Sequence, residues 1–190
     1  LAWGINYLLH EKFSLPQLQA HIDMDGGSSS IGDYFTNMLD PAMNWQDVAD
    51  MVDFWDGQFC LKGIMSVEDA RRAVDIGCTG IVISNHGGRQ LDGSRSSFDQ
   101  LAEIVDAVGN DIDVLFDSGV QRGSHVLKAL ALGAKAVGIG RMYLYALAAA
   151  GQPGVERVLK LMQAEIERDM RLMGCSSIED LQREHVRFRP

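Results

Sequence analysis

The chain holds 190 residues, with 17 Lys and Arg against 26 Asp and Glu, for a formal net charge of -9. That balance excludes nucleic-acid binding by phosphate neutralisation and offers no polybasic membrane anchor. Hydrophobic residues make up 46%, enough to bury a core within one domain of ordinary size.

Residues 1–40 are the least regular part. Residues 1–10 read either as the end of a helix or as a loop. Pro16 suits the first turn of a short helix over 15–24. Residues 25–30 are a glycine- and serine-rich turn, and 31–39 read as another short helix. Together they look like a long insertion, a partner- or membrane-facing flap being the alternative.

From Asp40 the rhythm is regular. Asn44 is placed to cap a helix through Trp45, Val48, Met51, Val52 and Trp55, an apolar stripe at helical spacing. A strand follows at 59–64. Ser66 caps a helix over 67–76, with Glu68 and Asp69 in its first turn. The next strand is 80–84, then a helix from Ser97 to about Val108, a strand at 112–116 and a helix at about 124–132. A last strand spans 136–139. Helices over 142–150 and 155–173 follow, then a short one at 178–183. Strand and helix alternate four times, which predicts an α/β fold with a parallel sheet and right-handed crossovers. Four units fit half of a (β/α)₈ barrel, which usually needs about 250 residues. An open doubly wound sheet is the alternative, but its glycine fingerprint after the first strand is absent.

Cys60, Cys78 and Cys175 are scattered without metal-ligand spacing. They read as free thiols in a reducing compartment, hence a cytoplasmic location. No apolar run approaches the roughly 18–20 residues that span a bilayer, and no signal peptide is visible. The chain starts on Leu1 and reads as a piece of a longer protein.

The most informative stretch is Ile81-Val82-Ile83-Ser84-Asn85-His86-Gly87-Gly88-Arg89-Gln90-Leu91-Asp92. An unbroken apolar run predicts a strand buried on both faces. It ends in polar residues at the strand's C-terminal end, where parallel α/β folds place their chemistry. His86 can give and take a proton near neutral pH. The planar fork of Arg89 matches a carboxylate. Gly87 and Gly88 allow close backbone approach and unusual torsions. A base beside a carboxylate clamp suggests a small acid with an abstractable proton. The ordinary alternative for His86 alone is a hydrogen-bonded histidine at a strand end.

Two later loops carry a phosphate signal. Asp117-Ser118-Gly119-Val120-Gln121-Arg122-Gly123 and Gly138-Ile139-Gly140-Arg141 each join a strand to a helix, whose first N–H groups are unpaired and suited to an anion. If residue 59 opens strand five, these are the loops after strands seven and eight, which often bind phosphate in such barrels. Two tight strand-to-helix turns are the plainer reading. Lys62 ends an apolar strand, where a lysine needs a partner or a path to solvent.

The stretch from Ser84 to Asp92 resembles the signature of the FMN-dependent L-2-hydroxy-acid dehydrogenases and oxidases. Together with the run around Phe54-Trp55-Asp56-Gly57, it is most similar to the bacterial L-lactate dehydrogenases of that family. The resemblance implies a (β/α)₈ TIM barrel. Residues 1–40 would then be an insertion after strand four, and 41–190 the C-terminal half of an FMN-binding barrel (strands five to eight). It implies FMN as cofactor, His86 as catalytic base and Arg89 as the substrate's carboxylate clamp. Lys62 would lie beside the flavin N1/O2 edge and Ser84 against its ring. Asp117, Ser118, Gly119, Val120 and Gln121, with Gly140 and Arg141, would hold the ribityl chain and phosphate. The family usually has two glycines where Ser118-Gly119 stands and often arginine at Gln121, so Arg122 is a candidate replacement for the lost charge.

The implied reaction turns an L-2-hydroxy acid, L-lactate first and glycolate or mandelate next, into the 2-oxo acid. Oxygen, a membrane quinone or a cytochrome would accept the electrons. The implied protein is a homo-oligomer, cytoplasmic or peripheral on the inner membrane. Two other readings stand beside it. One is a truncated half-barrel that binds phosphate or FMN weakly or not at all and has no turnover. The other is an unrelated barrel binding a different phosphorylated ligand.

Overall fold

The computed structural model describes residues 2–9 and 38–188. The chain forms two compact units, residues 1–44 and 45–190. In the first, α1 (Ala2–Leu9) is helical, where the sequence left helix and loop both open. The expected helix at 15–24, the turn at 25–30 and nearly all of the helix at 31–39 lie outside the described residues.

The second unit opens with α2 (Trp45–Trp55). It continues through β1 (Cys60–Lys62), α3 (Val67–Asp75), β2 (Gly80–Ile83), α4 (Ser97–Val108), β3 (Asp113–Phe116), α5 (Gly123–Ala131), β4 (Ala136–Val137) and α6 (Arg141–Met173). The strands pair in parallel in the order β1-β2-β3-β4, so each crossover advances the sheet by one strand. This is the alternation read from sequence, laid out as an open four-stranded arc rather than a closed barrel.

Register decides which face each side chain meets. Ile81 pairs with Leu61 and Val114, and Ile83 with Phe116. With a period of two, these share one face. They are packed under α3, α4 and α5 with Ala70, Ala73, Leu101, Ile104 and Ala129. Ile81 and Ile83 are fully buried, each stabilising the fold by about 1.5–3 kcal/mol relative to an exposed side chain. The other face carries Lys62, Val82 and Leu115 in one row. Val82 and Leu115 are only half-buried, so β2 is not buried on both faces as its apolar run suggested. Four strands do not close on themselves, and this face is the one a closed barrel would turn inward.

Local chemistry sets the boundaries. Ser66 Oγ accepts the N–H of Asp69 at 3.1 Å and starts α3, a cap whose loss typically costs about 1 kcal/mol. β1 stops before the expected end at 64 because Gly63 turns at φ +93°. Its N–H and that of Ile64 both donate to the carbonyl of Val82. α6 is two helices meeting at non-helical Ala150 and Gly151 (φ 62°, ψ −147°), with Pro153 just beyond. The sequence reading placed its break between 150 and 155. Pro153 has no N–H to donate, which suits the first turn of the second segment. The expected tail helix at 178–183 is instead two 3-10 turns, Ile178–Asp180 and Arg183–His185. Asp180 there gathers the N–H groups of Ser176 and Ser177 on one carboxylate oxygen. Among the described residues, no helix is long and apolar enough to cross a membrane.

Candidate active site

The C-terminal ends of β1 to β4 open on one cleft of about 770 Å³. Lys62, His86, Arg89, Asp117, Ser118, Gly119, Val120, Gln121, Gly140 and Arg141 all line it. Ser84 is the remaining candidate. It lies buried beneath the floor, in hydrogen-bond contact with Lys62. Residues spread over 80 positions of sequence meet here because each follows a strand of one parallel sheet.

An ion pair anchors the floor. Lys62 Nζ lies 3.1 Å from Asp117 Oδ2, with side chains 46% and 25% exposed, and donates to Ser84 Oγ at 2.6 Å. Partial burial pushes the Asp117 carboxyl up. Hydrogen bonds from Ser84, Lys62 and Ser118, with the charge of Lys62, outweigh burial and hold it below the usual carboxylate range. The aspartate is therefore ionised near neutral pH and keeps the ammonium of Lys62 fixed in the cleft.

His86 opens a one-turn 3-10 segment, His86–Gly88. Its φ is +60°, and Gly87 and Gly88 follow at +69° and +70°. Few non-glycine residues adopt this conformation, so the turn needs support. Asn85 gives some: its Oδ1 accepts the Gly88 N–H at 3.1 Å and its Nδ2 donates to the Arg95 carbonyl. The Asn85 N–H donates to Ser97 Oγ at 2.9 Å, which ties the turn to the start of α4. Arg141 Nη2 donates to the Gly87 carbonyl at 2.7 Å. A Cβ at Gly87 would lie 2.8 Å from that nitrogen, so the glycine is what lets the arginine approach. The His86 and Arg89 side chains are exposed to the cleft.

The two glycine-rich loops differ. At α5, Glu165 from α6 accepts the Gly123 N–H at 2.8 Å and Arg122 Nε at 2.8 Å, with Arg122 Nη2 2.6 Å away. Hydrogen bonds from Arg122 and then from Gly123 lower the Glu165 pKa from 4.5 to about 2. Arg122 is thus engaged on the outer side of the sheet and does not replace the charge missing at Gln121. At α6, the cap residue Gly140 offers no side chain to the first turn. A Cβ on Gly140 would meet nothing within 4 Å. That helix start is the open one.

Glu165, Ser97 and Asn85 were not read as site residues in the sequence. Glu165 lies 42 positions from the N–H it accepts, and nothing local in its helix announces that contact. His125 is half-buried and its Nδ1 accepts the Gln121 N–H at 3.3 Å. His185 is exposed and lines a separate cavity of about 280 Å³ beside α5.

A model of the FMN-dependent dehydrogenase family matches residues 4–188. The chain belongs to that family. A crystal structure of mandelate oxidase matches at 50% identity and TM-score 0.70, covering 74% of this chain and 41% of the oxidase. A mandelate oxidase variant with (S)-mandelic acid matches at 45% identity and TM-score 0.71, covering 80% and 49%. A flavocytochrome b2 variant with sulfite bound matches at 40% identity and TM-score 0.73, covering 80% and 42%. The chain therefore spans less than half the length of these solved proteins.

Proposed function

We propose that this chain is the C-terminal half-barrel of an enzyme that oxidises an L-2-hydroxy acid with FMN, L-lactate being the favoured substrate. The observation that carries the reading is the meeting of His86, Arg89, Lys62 and the uncapped α6 start with Arg141 around one cleft. FMN fits that donor set. A cleft of about 770 Å³ lies within the range of about 300–1,000 Å³ usual for cofactor sites. The first N–H groups of α6 and the Arg141 guanidinium suit its phosphate. When bound, the flavin supplies the acceptor for the substrate's two electrons. Arg89 holds the carboxylate and so orients the reacting carbon. His86 takes a proton from the hydroxy acid. Lys62, fixed by Asp117 and Ser84, stabilises negative charge that develops beside it. Lactate is favoured by the His86-Gly87-Gly88-Arg89 run, and the solved mandelate oxidases make mandelate the second substrate to try.

Among the described residues, β1 and β4 are unpaired sheet edges, which favour self-association of the chain by itself. The isolated chain would bind FMN weakly or not at all and turn nothing over. The complete enzyme would be a cytoplasmic or membrane-peripheral homo-oligomer passing electrons to oxygen, a quinone or a cytochrome.

The test is dye reduction by the full-length enzyme with L-lactate, (S)-mandelate and glycolate, beside His86→Asn. Asparagine tolerates the left-handed backbone at this position. It should lower kcat by about 10²–10⁴-fold while FMN stays bound. Near-normal kcat would remove His86 from the reaction.

A further inference from the structure

Ser118 sits at φ +83°, a conformation that glycine accepts and side chains disfavour. Its hydroxyl donates to Asp117 Oδ1 at 2.9 Å and accepts the Gly87 N–H at 3.0 Å. A hydroxyl has one proton, so Ser118 has no donor left for a ligand. The N–H of the preceding residue, His86, donates to Ser84 Oγ at 3.2 Å. Two hydroxyls thus hold two consecutive N–H groups of the turn that carries the imidazole. Both hydroxyls join one ion pair, because Lys62 Nζ donates to Ser84 and meets Asp117 Oδ2. The circuit closes as Asp117, Ser118, Gly87, His86, Ser84 and Lys62.

We propose that Ser118 is a positioning residue for His86, which pins the 86–88 turn and couples it to the Lys62–Asp117 pair. The role assigned to His86 rests on the function proposed above. The geometry of the pin does not. A side chain kept at a left-handed position, with its proton and a lone pair both used, acts through the turn rather than as a contact for the flavin.

Ser118→Gly and Ser118→Ala in the full-length enzyme separate positioning from stability. Both remove the hydroxyl, but only glycine also relieves the backbone. In both, amide hydrogen exchange at Gly87 should quicken about tenfold. In both, kcat should fall about tenfold, with KM and FMN affinity changing less than about twofold. The melting temperature should hold or rise in the glycine variant and fall in the alanine variant. Unchanged kcat and unchanged Gly87 exchange in Ser118→Gly would overturn the proposal. So would loss of FMN affinity with exchange unchanged, or faster exchange throughout the fold with a lower melting temperature in both variants. If the wild-type enzyme oxidises no hydroxy acid, the proposed activity fails. Gly87 exchange then decides the pin alone, faster supporting it and unchanged sinking it.

Discussion

Two helix starts lie at neighbouring strand ends, each reached through a glycine-rich loop with an arginine. At α5 the anion site is filled from within: Glu165 takes the Gly123 N–H and the fork of Arg122. At α6 no side chain caps the first turn, and Arg141 reaches across to the His86 turn. One composition therefore serves two purposes. The first pair locks α5 to α6, and the second leaves donors facing the cleft. What separates them is a single carboxylate more than 40 residues away.

The arginines give the largest expected contrast. Arg141→Ala should weaken FMN binding about a hundredfold, the scale of losing charge-assisted hydrogen bonds to a phosphate. Arg122→Ala should leave it within about threefold and lower the melting temperature instead. Flavin fluorescence titration and thermal melts on both variants read this out. Equal losses of affinity would erase the distinction between the two helix starts.

A packing test is next in size. A Cβ at Gly123 would lie 2.7 Å from Glu165 Cβ and from the Ile166 nitrogen. Gly123→Ala must push α6 outward, and overpacking of this kind typically costs about 1–3 kcal/mol. The urea midpoint should fall, because glycine sets how closely the lock can form. An unchanged midpoint would mean that α6 shifts freely.

The smallest effect is the acid dependence. The folded pKa of Glu165, about 2, lies below its ordinary 4.5. Its contribution to stability is therefore complete above about 4.5 and fades as pH falls toward 2. Glu165→Gln should lower the melting temperature at neutral pH and flatten its decline over that window. A variant whose melting curve keeps the wild-type slope below pH 4.5 would put the titrating group elsewhere.

Much of this was legible in the chain, for identifiable reasons. The strands were readable because Ile81 to Ile83 and Val114 to Phe116 are short apolar runs between turn residues. Helix starts were readable where a side chain announces them, as Ser66 does. His86 and Arg89 stood out because their residue types at a strand end have few structural uses together. The Glu165 lock was not legible, since Glu165 sits in a helix rich in charges and its partners lie on another element. The shortness of β1 and β4 escaped because torsions such as Gly63's come from the ladder around them. Ser118 could be flagged only as an odd residue in a loop, because its left-handed torsion and its bond to Gly87 depend on β2 and β3 lying side by side.

The joint in α6 has a separate consequence. Met142, Leu144, Tyr145 and Ala146 line the cleft from one side of Gly151, and Val158 lines it from the other. Gly154 lies so close to the Ala146 carbonyl that a Cβ there would collide with it. The angle between the segments therefore sets where Val158 stands against Leu144. A substitution at the joint would act on that wall first, because neither glycine lies at a strand end. Cleft width and the strand-end side chains are thus encoded at separate addresses in the sequence, the first at Gly151 and Gly154 and the second at Lys62, His86 and Asp117.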